Sequence, residues 1–196
     1  MEILGKILGN PARVKIMRLF LLNRTKAFKN KDIVKRSRVS STAASQELRL
    51  LSAANFIKKK SVTSLEWVFN PAFKYTEEFR NLLIRSESIN KQTIVDNFKK
   101  VGRVKFMAVS GVFIKNNDSR VDLLLVGDKL QRNKIEEEVR KLEAETGAEL
   151  VYAIFETKEF VYRLNMYDKL VRDILDFPHE VLVETKELST QLLKKS

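Results

Sequence analysis

The sequence predicts an α+β fold in two domains: a helical N-terminal domain closing on a β-hairpin, then a mixed sheet with flanking helices. Three observations predict it. Apolar residues recur at helical spacing from Pro11 to Ala53, and two β-prone runs follow around a short polar connection. From Arg103 onward, short apolar strands alternate with helical patterns. The charge is also segregated. Residues 1–60 hold 15 lysines and arginines against three acids, Glu2, Asp32 and Glu47, while residues 61–196 hold 22 of each, so the whole net charge of +12 sits in the first third. We divide the chain into residues 1–70, a helical connector 71–100, a second domain 101–185 and a tail 186–196.

Asn10 is a good N-cap and Pro11 suits the first helical position, so a helix starts there. Val14, Met17 and Leu21 give it an apolar stripe, with Ile16 and Phe20 beside it, to about Asn23. Asn30 is expected to cap a second helix with Ile33 and Val34 inward and Lys31, Lys35 and Arg36 outward. After a break at Arg38-Val39, Ser40 and Ser41 offer caps for a third helix. Ala44, Leu48 and Leu51 form its buried stripe. Ser41 stands at its start, and Thr42, Ser45, Gln46 and Arg49 occupy the opposite face. Short and hydrogen-bonding side chains there suit close approach to base edges and phosphates. Arg49 is the strongest single candidate for a phosphate or a guanine.

Phe56–Lys60 and Leu65–Phe69, around a tip at Ser61–Ser64, read as a hairpin carrying Lys58, Lys59 and Lys60. Strand alternation keeps those three lysines from sharing one phosphate row. Trp67 on the second strand is expected in the core rather than stacked on a base. Three helices and a basic hairpin is the order of a winged helix-turn-helix, whose third helix enters the major groove while the wing touches the backbone. A field concentrated on one module marks a polyanion-binding surface, here double-stranded DNA.

Pro71 ends the hairpin. Helical patterns follow over Tyr75–Arg85 and Ile89–Lys100, with Ser86, Ser88 and Asn90 between them. Phe79, Leu82 and Leu83 could form a homodimer contact or pack internally; the sequence leaves both open. In the second domain, strands are expected over Arg103–Val109, Val121–Val126 and Glu149–Phe155. Ser110-Gly111 turns between the first two. Asn133 with Glu136 reads as a capping-box variant, opening a helix with Ile135, Val139 and Leu142 that runs to Thr146-Gly147. Thr157 is expected to cap one long helix through Phe160, Leu164, Tyr167, Val171 and Ile174, closed by Pro178. The tail to Ser196 reads as a short frayed helix.

The absence of cysteine excludes disulfides, thiolate zinc sites and a cysteine nucleophile, and fits a reducing compartment. The apolar runs are too short to span a bilayer, and the start MEILGKILGN lacks a signal-peptide pattern. A cytoplasmic protein with no membrane partner is expected.

Residues 9–70 resemble the winged-helix domain of ArsR-like regulators. The resemblance rests on Gly9-Asn10-Pro11-Ala12-Arg13-Val14-Lys15-Ile16, on Val39-Ser40-Ser41-Thr42-Ala43-Ala44-Ser45-Gln46-Glu47-Leu48, and on Leu51 through Phe56-Ile57. Asn55 replaces the family's usual glycine, and asparagine tolerates the left-handed conformation a helix end needs. The metal-sensing cysteines of some members are absent. The resemblance implies a DNA-binding transcription regulator that reads DNA through Ser41, Thr42, Ser45, Gln46 and Arg49, with Lys58, Lys59 and Lys60 on the wing.

Residues 90–185 resemble the minimal, polymerase-beta type nucleotidyltransferase fold, marked by a strand, a Gly-Ser turn, an Asp-x-Asp on the next strand and a third carboxylate later. Paired metals need those carboxylates to bridge nucleotide phosphates. Here Ser110-Gly111 reverses the turn, Asp122 matches the second aspartate, and Arg120 stands where the first should be. Arginine repels a divalent cation and stays protonated. Glu149 or Glu156 would have to supply the third carboxylate. Ser110, Gly111, Arg120 and Asp122 therefore read as a degenerate nucleotide site, with no metal, no cofactor and no catalytic residue. Arg120 is expected to pair with Asp122 or Asp118, or to hold an anion. The domain would then serve a nucleotide, a protein partner or self-association. The alternatives are an active metal-dependent nucleotidyltransferase and an antitoxin-type interaction protein. His179 reads as incidental.

Overall fold

The Asn10 side chain accepts from the Ala12 N–H, and Pro11 takes the first helical position, so the sequence signal starts the helix where it should. The computed structural model describes residues 3–63, 65–85, 90–116 and 118–193. Ser64 at the hairpin tip, Ser86, Ser88 and Ile89 in the connector, and the tail residues 194–196 lie outside the described residues. The fold is mixed α+β with two sheets. The chain divides into two compact units, Met1–Ser88 with Arg140–Glu149, and Ile89–Val139 with Leu150–Ser196.

The first unit begins with α1 (Ile3–Ile7) and α2 (Pro11–Leu22). It continues through β1 (Phe28–Lys29), α3 (Asn30–Ser37), α4 (Ser41–Ala53), β2 (Ile57–Lys59) and β3 (Glu66–Phe69). Next comes α5 (Thr76–Arg80), which runs into a π-helical turn at Asn81–Arg85. The α2 helix is not a one-sided surface helix. Val14, Ile16, Met17, Leu19, Phe20 and Leu21 are all buried, because α2 is the axis on which the rest of the unit packs. Its Arg18 is buried too, donating to the carbonyls of Leu83 (2.9 Å) and Glu145 (2.9 Å).

Strand order is β1-β3-β2, all antiparallel, with Ile57 opposite Phe69, Lys59 opposite Trp67, and Phe28 opposite Trp67 on the other side. The β1 strand has no pattern of its own: two residues cannot carry one. Phe56 seats the hairpin on the core, edge-to-face with Phe69 (5.3 Å) and Phe73 (5.2 Å). Leu83 is buried and Phe79 packs on the same core, while Leu82 is exposed.

The second unit contains α6 (Lys91–Phe98), capped by Asn90, then β4 (Arg103–Val109), a 3₁₀ turn at Gly111–Phe113 and β5 (Leu123–Asp128). The chain goes on through α7 (Arg132–Thr146), whose residues from Arg140 on count with the first unit, and then, in the second unit, β6 (Tyr152–Glu156), α8 (Thr157–Asn165), α9 (Lys169–Asp176), β7 (Glu180–Glu184) and α10 (Lys186–Leu193). Sheet order is β6-β5-β4-β7, with β5–β6 parallel and the other pairs antiparallel. Phe106, Ala108, Leu124 and Val126 pack on one face with Phe160, Leu164, Val171, Ile174 and Leu188. Met107, Val109, Leu123 and Leu125 alternate with them and are equally buried, so the apolar run does mark a strand covered on both faces.

Several sequence expectations are corrected. The long helix from Thr157 is two helices, because Tyr167 takes a left-handed conformation (φ 54°) and Asp168 recaps, accepting from the Val171 N–H. The apolar period of 3.6 carries through the break, which is why spacing alone missed it. Thr157 and Asn30 are first helical residues rather than caps; the N-cap positions are Glu156 and Lys29. Asn133 lies inside the first turn of α7, which starts at Arg132. Strand β7 was missed behind Pro178. The short helix expected in the tail is α10, and it buries Leu188 completely, so this segment packs on the sheet's core.

Candidate nucleic-acid interface

The α3 and α4 helices are joined by a three-residue turn, Arg38-Val39-Ser40. Arg38 adopts the left-handed conformation (φ 49°) and its N–H closes on the Val34 carbonyl. Ser40 then caps α4, its hydroxyl accepting from the Ala43 N–H at 3.1 Å. At the far end, Asn55 is left-handed (φ 58°). Its N–H reaches the Ser52 carbonyl, and the Phe56 N–H reaches that of Leu51. That pair of bonds is a Schellman motif, with asparagine in the usual glycine position.

Between these ends, Ala44, Leu48 and Leu51 are buried as the spacing requires. Thr42, Gln46 and Arg49 are exposed and Ser45 is half-buried, at i, i+4, i+7 and i+3 on the opposite face. Ser41 is exposed at the first turn. Arg49 has no ion-pair partner among the described residues.

The hairpin sorts its lysines. The Lys59 ammonium sits 4.0 Å from the centroid of the Trp67 ring, and Lys60 pairs with Glu66 at 3.1 Å. Lys58, on the other face of β2, is exposed and has no such partner among the described residues. Trp67 packs partly against the core, and its indole N–H donates to Asn30 Oδ1 at 2.8 Å. Asn30 therefore ties the hairpin to the start of α3. Arg36, expected outward, instead pairs with Glu149 and lies over the Phe28 ring. Lys31 and Lys35 are exposed.

Two residues at this site escaped sequence reasoning. Leu50 is exposed on the flank of the polar face. Glu47 is buried within α4, where it accepts from Asn10 Nδ2 (2.7 Å) and Arg13 Nε (2.7 Å). The available signal was the single acid of the Ser41–Ala53 segment, one of three acids set among fifteen cations, since a buried carboxylate needs partners.

In the second unit, the side chains of two residues of the degenerate motif, Ser110 and Asp122, are committed to the backbone. Asp122 is buried; Oδ1 accepts from the Val112 N–H (2.8 Å) and Oδ2 from the Val151 N–H (2.8 Å). The Ser110 hydroxyl donates to the Val121 carbonyl. The Gly111 N–H donates to Ser119 Oγ (3.1 Å). The next amides, Phe113 and Ile114, close on Ser110 and Gly111 carbonyls. Gly111 is left-handed (φ 55°), and a Cβ there would fall 2.0 Å from Asp122 Oδ1. Arg120 pairs with neither Asp122 nor Asp118: its Nε donates to Asp173 of α9 at 3.0 Å. Asp118 lies in a local Asn116 turn. No group of three acids, histidines or cysteines able to hold a metal occurs among the described residues. No helix among them is long and apolar enough to cross a membrane. The His179 ring lies with Nδ1 2.9 Å from the nearby Phe177 carbonyl. Comparison of the chain with protein-family models, with curated proteins and with solved structures finds no match.

Proposed function

We propose that this chain is a DNA-binding transcription regulator whose first unit is a winged helix-turn-helix. In this reading α3 and α4 form the helix-turn-helix, α4 lies in the major groove, and β2–β3 form the wing. The observation that carries it is the capped α4 helix. Its core stripe is fully buried, and its opposite face presents Thr42, Ser45, Gln46 and Arg49 to solvent. Those side chains read base edges and phosphates. The segregated charge supports the same reading, and Lys58 is the wing cation held by no partner among the described residues.

For the second unit we propose a nucleotidyltransferase-like body without catalysis, serving a ligand, a partner or self-association. Metal-dependent transfer needs carboxylate oxygens for the metal and free amides for the phosphate. Both oxygens of Asp122 already hold amides, and the Gly111 and Val112 amides are already held. These commitments support a structural role for the turn. Selection of duplexes from a random pool by gel shift at two salt concentrations tests the regulatory reading. Enrichment of a shared sequence, with weaker retention at the higher salt, is expected. Failure to retain any duplex at low salt overturns it.

A further inference from the structure

The opening motif Asn10-Pro11-x-Arg13 does more than start a helix. Asn10 uses Oδ1 to cap α2 and Nδ2 to hold Glu47 of α4. Arg13 grips the same carboxylate through Nε at 2.7 Å and, more loosely, Nη2 at 3.4 Å. Its Nη1 donates to the Leu8 carbonyl at 2.6 Å. The Glu47 side chain is 5% exposed and that of Arg13 25%. The carboxylate is thus clamped from two sides by the start of α2, one residue from Gln46 and two from Arg49. Apolar packing of Ala44, Leu48 and Leu51 fixes how deep α4 sits. It resists rotation and sliding less well, because aliphatic contacts have no direction. Charge-assisted hydrogen bonds of short length do have direction.

We propose that Glu47 is a positioning residue for DNA reading, and that Asn10 and Arg13 set the rotation and register of α4 through it. The proposal rests on α4 being the DNA-reading helix. It predicts an effect opposite to simple electrostatics. An acid beside a DNA-binding surface repels phosphate, so its removal should tighten binding. Here Glu47→Gln leaves non-specific binding unchanged or tighter. Specific binding weakens, because base contacts need the helix held to within about 0.5 Å.

The experiment measures dissociation constants of the full chain for a selected duplex and for a scrambled duplex at one salt concentration. Wild type, Glu47→Gln and Asn10→Ser are compared. Serine retains a capping oxygen for α2 but cannot reach Glu47 with an amide, so this second variant keeps the helix start. Circular dichroism confirms that each variant is folded at the assay temperature. The specific-to-scrambled ratio should fall by about tenfold or more in Glu47→Gln, the scale of one lost base contact. It should fall by less in Asn10→Ser, with scrambled binding not weakened in either. A ratio at the wild-type value in whichever variants fold overturns the proposal. So does equal weakening on both duplexes, which marks a merely structural loss. If the wild-type chain binds no duplex at all, the regulatory reading itself fails, and that result is distinguishable from the other two.

Discussion

Replacing Asp122 by asparagine separates a structural turn from a metal site. Each Asp122 oxygen accepts one backbone N–H at 2.8 Å, from Val112 and from Val151. Asparagine supplies one acceptor and must turn its NH₂ toward the other amide. A hydrogen bond to a charged group contributes about 1.5–3 kcal/mol, and a buried N–H left unpaired costs about 1–3 kcal/mol. The loss should be roughly 2–4 kcal/mol. With a urea m-value of about 1.5 kcal/mol/M, the midpoint for the second unit falls by about 1.3–2.7 M. Far-UV circular dichroism in urea measures this. Amide hydrogen exchange localises it: one of Val112 and Val151 should lose protection ahead of the β4–β5 ladder. A carboxylate kept for metal binding behaves in the opposite way, because removing charge from a functional site often stabilises the fold. An unchanged or raised midpoint in Asp122→Asn refutes the reasoning.

Gly111→Ala should also destabilise, by at least about 2 kcal/mol, because it combines a left-handed backbone with a Cβ placed on Asp122 Oδ1; a urea midpoint near wild type would contradict this. Ser40→Ala should cost about 1 kcal/mol through the lost cap on α4, read as a drop in thermal midpoint. Gln46→Ala should relax sequence preference at one base position, whereas Lys58→Ala should weaken all duplexes alike and reduce the salt slope by about 1. Lys59→Ala should cost less affinity than Lys58→Ala, since Lys59 is engaged by Trp67.

The sequence made the helices of the first unit legible because their ends carry chemistry: Asn10-Pro11, Ser40 and Asn55 each sit where a cap or a left-handed residue is needed. The Ala44, Leu48, Leu51 stripe and the apolar run Leu123–Val126 were readable for the same kind of reason, since burial leaves a period. What failed was whatever leaves none. Strand β1 is two residues long, and β7 follows a proline at half-exposed positions. The Tyr167 break keeps helical spacing on both sides. Partners of ionic groups were the least legible. Arg120 finds Asp173 and Glu47 finds Arg13 over separations of 53 and 34 residues, which no local pattern encodes.

The central claim is that the basic first unit binds duplex DNA through α4 and the wing. The most direct measurement is the dissociation constant for a selected duplex between 50 and 200 mM salt, followed by emission of Trp67, the chain's one tryptophan. Each neutralised phosphate contributes about −0.9 to the slope of log K against log salt. Engagement of Lys31, Lys35, Arg49 and Lys58 would give a slope of about −3.6, an affinity loss of about 150-fold over that range. A steep slope of that order, reduced in Arg49→Ala and Lys58→Ala, is the predicted result. Binding that ignores salt, or no binding at 50 mM, contradicts the account.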